Sequence, residues 1–367
     1  MSETPLRTLL GTELPIIQAP MAGVQGSALA AAVSNAGGLG SLPAAMLSLS
    51  ALRSELTALQ AATDRPYNVN FFCHDAAEGE PARLLAWRAT LQPLRQALGL
   101  DESAAPAGAA RTPFHAEAAA LLAEFRPAVV SFHFGLPSPA LLASVKAWGA
   151  RVLASATTVD EARWLHAHGA DAVIAQGLEA GGHRGHFLSH DLSRQMGTFA
   201  LLPQVLRAVP CPVIAAGGIA DADGVAAALA LGATAVQLGT SFLLCDEATT
   251  SALHRAALQQ PGAAHTALTN LFTGRPARGI VNRVMTELGC LHPAAPPFPW
   301  AAGEMAPLRA AAEALGSADF SPLWAGQNTS GCQAIPAAAM LRQLARKLPT
   351  IGREARWKTG VDIVGAA

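Results

Sequence analysis

The sequence predicts an α/β fold in which eight βα units close into a (β/α)8 TIM barrel, with a smaller helical subdomain near the C-terminal mouth. Three observations carry this. Eight short apolar runs alternate with alanine-rich stretches of helical length. Glycines follow those runs, where parallel α/β folds place their binding loops. And Gly169-Ala-Asp-Ala-Val-Ile-Ala-Gln-Gly177 is echoed by Gly232-Ala-Thr-Ala-Val-Gln-Leu-Gly-Thr240, two units further on. Each copy has a helix-ending glycine, a strand and a glycine near the next loop. A doubly wound open sheet is the alternative, though it usually has fewer strands, and short αβ units resemble one another in any case.

In chain order, Pro15-Ile-Ile-Gln-Ala-Pro-Met21 reads as a first strand ending in a turn, followed by a helix over 27–36. Gly37-Gly-Leu-Gly-Ser41 holds the second strand, Tyr67-Asn-Val-Asn-Phe-Phe72 the third and Ala128-Val-Val-Ser-Phe-His133 the fourth. Arg151-Val-Leu-Ala-Ser155 is the fifth and 172–175 the sixth. Pro212-Val-Ile-Ala-Ala216 is the seventh and Thr234-Ala-Val-Gln-Leu238 the eighth. The barrel is thus expected over residues 1–245. Residues 73–127 interrupt it with an excursion that includes a Pro- and Ala-rich part, 103–110, of the kind that forms a lid or a loop over a site. Residues 246–348 are expected to form the helical, substrate-side subdomain, broken at 293–299. The tail, 349–367, is expected to return to the barrel.

Composition bounds the function. Hydrophobic residues make up 51% and charged residues 14%, so core material is ample. A formal charge of −1 without a basic run gives no footprint for nucleic acid or for a membrane surface, and no apolar run is long enough to span a bilayer. The five cysteines, Cys73, Cys211, Cys245, Cys290 and Cys332, include no CxxC pair; neither a metal site nor a disulfide framework is expected. Reduced thiols, and an N-terminal segment without a signal-peptide profile, predict a cytoplasmic enzyme. The oligomeric state is left open, a homodimer included.

The most informative segment is Gln176-Gly-Leu-Glu-Ala-Gly-Gly-His-Arg-Gly185, directly after the sixth strand. Glycines let a backbone approach a bound group and take positive φ, and a histidine among them can exchange protons near neutral pH. His183 is therefore the first catalytic candidate. His133, in Ser131-Phe-His-Phe-Gly135 at the end of the fourth strand, is the second, although a lone histidine at a strand end is often only a hydrogen-bonded structural residue. Glu179 suits the role of orienting its own loop better than that of a second acid–base group. His186 and His190 read as loop or surface residues, and His166 and His168 as cations suited to a helix end.

Two further glycine clusters point to a cofactor. Ala215-Ala-Gly-Gly-Ile219 follows the seventh strand and Gln237-Leu-Gly-Thr-Ser241 the eighth. In (β/α)8 enzymes these loops often bind phosphate through backbone N–H groups. Gly217-Gly218 alone would equally suit a tight turn; with Gly239-Thr240 beside it, a phosphate-bearing cofactor is the better reading. No Walker loop and no GxGxxG opening a βαβ unit is present.

Taken in order, Gln18-Ala-Pro-Met-Ala-Gly23, Asn68-Val-Asn-Phe-Phe72, the 176–185 loop, Ala215-Ala-Gly-Gly-Ile-Ala-Asp221, Ala228-Leu-Ala-Leu-Gly-Ala233 and Gln237-Leu-Gly-Thr240 resemble the nitronate monooxygenase family of FMN-dependent barrels, formerly called 2-nitropropane dioxygenases. The likeness resumes at Thr273-Gly-Arg-Pro-Ala-Arg-Gly279 and Leu323-Trp-Ala-Gly-Gln327. The Glu-Ala-Gly-Gly-His-Arg run is specific for the superfamily but is shared in large part by flavin-dependent enoyl and quinone reductases. The resemblance implies that Ala19, Pro20, Met21 and Asn70 lie against the isoalloxazine and that Gln176 reaches the ring or ribityl chain. It implies that Gly181 and Gly182 close on FMN, and that Gln237 belongs to the cofactor wall. Gly217, Gly218, Gly239 and Thr240 would hold the phosphate. His183 would be the base, or an electrostatic partner for an anionic substrate, and His133 would help bind the nitro oxygens.

The chemistry so implied is oxidation of an alkyl nitronate by O2 to a carbonyl compound and nitrite, through a flavin semiquinone. A neutral nitroalkane would first lose a proton to His183. One stretch departs from the family pattern. Phe298-Pro-Trp-Ala-Ala-Gly-Glu-Met-Ala-Pro307 has Ala302 and Ala306 where relatives carry a substrate-facing tyrosine and lysine. Phe298, Trp300 and Met305 then suggest an apolar substrate pocket, with neutral alkyl nitronates preferred over carboxylated ones. Two other functions stay open: an FMN-dependent NAD(P)H reductase of quinones or enoyl thioesters, and a flavin-binding protein without turnover.

Overall fold

In a computed structural model, residues 9–75, 80–100 and 111–348 are described. Eight parallel strands form the main sheet: β1 (Ile16–Gln18), β2 (Gly40–Pro43), β3 (Tyr67–Phe72), β4 (Val129–His133), β5 (Arg151–Ala156), β6 (Ala172–Gln176), β8 (Val213–Ala216) and β9 (Ala235–Leu238). Their order is β1-β9-β8-β6-β5-β4-β3-β2. The ring closes through Ile17 and Leu39, where Gln18 N donates to Leu39 O at 2.9 Å and Leu39 N to Ile16 O at 2.9 Å. The fold is a TIM barrel, as expected. The second strand begins at Gly40 instead of Gly37; residues 37–39 serve as the turn that leads to this closure.

Strand side chains alternate between two environments. Ile17, Leu39, Val129, Leu153, Ala172, Ile174, Ile214 and Ala235 pack with one another inside the ring, where Leu9 and Leu10 join them. Their outward neighbours meet the helices. Ile16, Val173, Ala175, Val213, Val236 and Leu238 cover one half of the ring; Leu42, Val69, Phe71, Val130, Phe132 and Val152 cover the other. Both faces are buried, so these strands read as continuous apolar runs instead of alternating ones.

The helices on the outside are α1 (Ser27–Asn35), α2 (Leu49–Ala62), α4 (Ala116–Phe125), α5 (Pro139–Lys146), α6 (Val159–Ala167), α7 (Thr198–Ala208), α8 (Ala222–Ala230) and α12 (Ala337–Ala345). Side-chain caps fix several starts: Thr158 Oγ1 accepts from Glu161 N, and Asp221 Oδ1 from Gly224 N at 2.8 Å. The last helix differs from a reading of 246–348 as one body beside the mouth. Ala337, Met340, Leu341 and Leu344 of α12 pack among Ile16, Leu29, Val33 and Val225. They complete the outer ring between α1 and α8.

The rest of that stretch is not wholly helical. β10 (Thr266–Thr269) and β11 (Ala277–Ile280) pair antiparallel, and β11 also pairs with β7 (Gly182–His183). Helices α9 (Ala252–Leu258), α10 (Arg283–Leu288) and α11 (Ala301–Ala314) surround them. The excursion after β3 contributes α3 (Pro81–Ala97), whose Trp87, Leu91 and Leu94 pack with Leu271, Phe272, Met305 and Leu308 in one apolar cluster. Sequence patterning missed β7 and β11 because each is too short to show a period of two. The lid or loop expected at 103–110 and the tail at 349–367 lie outside the described residues.

Candidate active site

The two-residue period builds the site. Positions in phase with the inner core reach the C-terminal mouth as Asn70 and Phe72 on β3, Ser131 and His133 on β4, Ser155 on β5, Gln176 on β6 and Gln237 on β9. All line one cavity. Beneath them is a polar floor: Asn68 Nδ2 donates to Ser41 Oγ at 3.0 Å and to Ser131 Oγ at 2.9 Å, and Asn70 Nδ2 donates to Ser131 Oγ at 2.9 Å. That leaves Asn70 Oδ1 as an acceptor on the cavity wall. The cavity encloses about 1380 Å³, counting its open mouth.

Loops complete the wall on the β1, β6, β8 and β9 side. Ala19, Pro20, Met21, Gly181, Gly182, Gly217, Gly218, Gly239 and Thr240 all face the same space. Gly217 and Gly218 have φ of 114° and 74°, the left-handed region that favours glycine. A Cβ on Gly217 would also stand 2.9 Å from Thr198 Oγ1. Thr240 opens a short 3-10 turn, so its N–H has no partner within that turn. The side-chain oxygen Gln237 Oε1 is buried with no hydrogen-bond partner among the described residues; a polar ligand edge would satisfy it. The glycine cradle and the unpartnered amide oxygen both fit a phosphate-bearing flavin such as FMN.

The 176–185 loop is held from several sides. Arg184 is fully buried and donates to Gly177 O at 2.7 Å, Gln176 O at 2.8 Å and Gln195 Oε1 at 2.8 Å. Glu179 accepts from Thr198 N at 2.8 Å and Thr198 Oγ1 at 3.0 Å. Its carboxylate therefore anchors the loop. Gln176 uses both ends of its amide: Nε2 donates to His183 O at 3.0 Å, and Oε1 accepts from Gly185 N at 2.8 Å. It fastens the loop while lining the cavity.

These contacts fix His183. Its ring lies among Phe72 (centroids 5.9 Å), Phe134 (6.0 Å), Phe298 (5.5 Å) and Trp324 (5.7 Å). Phe134 reaches its place with a φ of 70°, rare for a bulky residue. Burial in this aromatic shell, then the charge of Arg111, hold His183 well below the usual histidine range. It is neutral at neutral pH. Its Nε2 lies 3.0 Å from Thr273 Oγ1.

His133 donates from Nε2 to His183 O at 3.1 Å, and burial pushes its pKa down to about 3. It positions the His183 backbone while one edge stays on the cavity wall. The three residues expected to form a substrate pocket are placed differently. Phe298 packs edge-on against His183. Met305 is buried with Trp87 and Leu308, away from the cavity wall, because α11 turns that face toward α3. Trp300 stands at the start of α11 and is likewise absent from the wall.

Arg111, Thr273, Trp324, His254 and Asn328 join the site without having been candidates. Thr273 and Trp324 sit inside motifs that carry the later part of the resemblance. Arg111 follows a Pro- and Ala-rich stretch with no periodicity, so nothing in the sequence singled it out. Gly326 N donates to Thr240 Oγ1 at 2.9 Å, which joins the 323–328 segment to the phosphate-type cradle.

Comparisons with known proteins agree with this geometry. The chain is 45% identical to a nitronate monooxygenase of Pseudomonas aeruginosa, over 93% of this chain and 97% of that one. It is 44% identical to a nitronate monooxygenase of Paraburkholderia phytofirmans, over 94% of each. Among solved structures, a nitroalkane oxidase of Streptomyces ansochromogenes superposes with a TM-score of 0.85 at 40% identity, covering 94% of this chain and 98% of that one. FabK of Thermotoga maritima gives a TM-score of 0.69 at 29% identity, covering 94% and 96%. The family model for nitronate monooxygenase matches residues 3–347, and the chain belongs to that family, an enzyme family of oxidoreductases.

Proposed function

We propose that the protein is an FMN-dependent enzyme that oxidises alkyl nitronates with O2 to a carbonyl compound and nitrite, and accepts nitroalkanes after deprotonating them. One observation carries this: a half-buried imidazole, held well below its ordinary pKa by its surroundings, stands in the same cavity as a glycine cradle of the phosphate-binding type. The names of the relatives at 45% and 44% identity support the same reading.

Gly217, Gly218, Gly239 and Thr240 would hold the FMN phosphate, and Ala19, Pro20, Met21, Asn70 and Gln237 would meet the ring system. Bound there, FMN supplies the electron acceptor for the substrate and the route onward to O2. The chain's own residues do the rest. Thr273 Oγ1 lies 3.3 Å from Arg275 O, which takes its proton, so it accepts from His183 Nε2–H. That assignment leaves His183 Nδ1 as the free base, able to take the proton α to a nitro group. His133 and Gln176, both donating to His183 O, hold the imidazole at its place. Phe72, Phe134, Phe298 and Trp324 surround it with apolar surface. A nitronate arrives already deprotonated, and the same ring then positions it.

The test is anaerobic mixing of the flavin-loaded protein with ethyl or propyl-2-nitronate, and separately with NADH or NADPH. The expected result is a change in the flavin spectrum with nitronate and none with nicotinamide. Reduction by NAD(P)H alone would make the protein a reductase on this scaffold, and silence with both would make it a flavin-binding protein without turnover. Release of a flavin other than FMN on denaturation would refute the cofactor assignment.

A further inference from the structure

The substrate side of the cavity contains a cation that the sequence comparison did not lead one to expect. The family's lysine is absent at Ala306 and its tyrosine at Ala302, and both alanines lie on α11, off the cavity wall. Arg111 reaches that wall from a different part of the chain, the segment leading into α4.

Its surroundings leave the guanidinium unspent. Arg111 Cζ stands 5.3 Å from the centroid of the Phe298 ring, and Phe298 packs against His183. Nη2 lies 3.9 Å from Met46 Sδ, a weak acceptor. Nη1 is buried and has no hydrogen-bond partner, and no carboxylate forms an ion pair with Arg111, among the described residues. Burial lowers Arg111 to about 10, so it is still a cation at neutral pH. Arg111 and His183 stand against the same ring, with Arg111 Cζ 5.3 Å and the His183 ring centroid 5.5 Å from the centroid of Phe298. Around it are His74, whose Nε2 donates to Arg111 O at 3.2 Å, and Arg275, stacked 3.9 Å from Phe134; the exposed carboxylate of Asp75 acts on both of these, and forms no ion pair with Arg111.

A buried donor of a charged group left without a partner is costly, and a guanidinium fork matches a planar, two-oxygen anion. We propose that Arg111 is the anion-recognition residue of the substrate pocket, taking a planar oxyanion carried by the substrate. Two groups have that chemistry: the nitronate O–N–O itself and a carboxylate at the far end of a longer nitronate. This deepens the function proposed above and rests on it for the identity of the substrate. If the anion is the terminal carboxylate, it also reverses the preference for uncharged chains expected from Ala302 and Ala306.

The experiment has an equilibrium arm and a kinetic arm. In the first, propionate and nitrite are titrated into the flavin-loaded protein and the flavin absorbance is followed. Arg111→Met should weaken binding of these anions at least tenfold and Arg111→Lys by less, with flavin content unchanged. Equal affinity in wild type and Arg111→Met would overturn the proposal. In the second, KM is compared for a neutral nitroalkane, its nitronate and a nitronate bearing a terminal carboxylate. A rise in KM confined to the carboxylated compound assigns Arg111 to the remote carboxylate, and a rise for both nitronates assigns it to the nitronate group. An equal rise for the neutral nitroalkane refutes it. Anion binding through Arg111 in a wild-type protein that turns over no nitronate would sink the proposed function and leave the anion site standing.

Discussion

In the proposed function, His183 serves as a base because of what surrounds it, not because of its own preference. A histidine in water would be partly protonated near its ordinary value of 6.5. Here four aromatic rings and the Arg111 charge keep it neutral. The rate on neutral nitroalkanes should therefore show no ionisation of this residue between pH 6 and 8. His183→Asn keeps a polar side chain of similar reach but removes the base. Activity on neutral nitroalkanes should fall by roughly 10²–10⁴-fold, while activity on preformed nitronates changes by less than about tenfold and FMN content holds. Equal losses on both substrate types would remove the proton-abstraction role. The sequence disclosed His183 because its four neighbouring glycines have no other explanation. It could not disclose Arg111 or Thr273, whose roles depend on which distant segments fold over the mouth.

At the scale of elements, the barrel strands were legible and the cover over them was not. Buried parallel strands announce themselves as short apolar runs, and the period of two within them put Asn70, His133, Gln176 and Gln237 on one wall. The cover is assembled from pieces far apart in sequence: α3 before α4, and β10, β11 and α11 after the last barrel strand. Trp87 on α3 is fully buried between these pieces. Replacing it by alanine should destabilise the protein by about 3–5 kcal/mol, lowering the urea midpoint. Because Trp87 lies off the cavity wall, a flavin bound as proposed should stay bound in the folded protein while KM for nitronate rises. An unchanged midpoint would show that α3 does not brace the cover. The apparent discrepancy at Met305, read as a pocket residue and found in this cluster, has the same cause: a helical face cannot be oriented until its partner helix is known.

For the molecule as a whole, buried histidines make folding sensitive to acid. Burial lowers His133 and His186 to about 3 and His254 to about 4, against an unfolded value near 6.5. Between those limits the unfolded chain binds more protons than the folded one, so stability falls as pH drops below about 6.5 and is fully present above it. Each such residue contributes up to about 1.4 kcal/mol per pH unit in that window. The melting temperature should fall from pH 7 to pH 5, and His186→Asn should flatten the fall, since both ring nitrogens of His186 lack partners among the described residues. A flat profile in the wild type would refute the assignment of these histidines as buried and neutral. No helix among the described residues is long and apolar enough to cross a membrane.

The cavity joins a flavin-type cradle to a neutral base and an unpaired cation, and the central claim is that this combination oxidises nitronates with dioxygen. Oxygen uptake by the FMN-loaded protein, with nitrite assayed in the same sample, tests it most directly. Ethyl or propyl-2-nitronate should drive uptake with nitrite release, and NADH or NADPH alone should drive none. No uptake with either nitronate, or uptake only when NAD(P)H is supplied, would contradict the account.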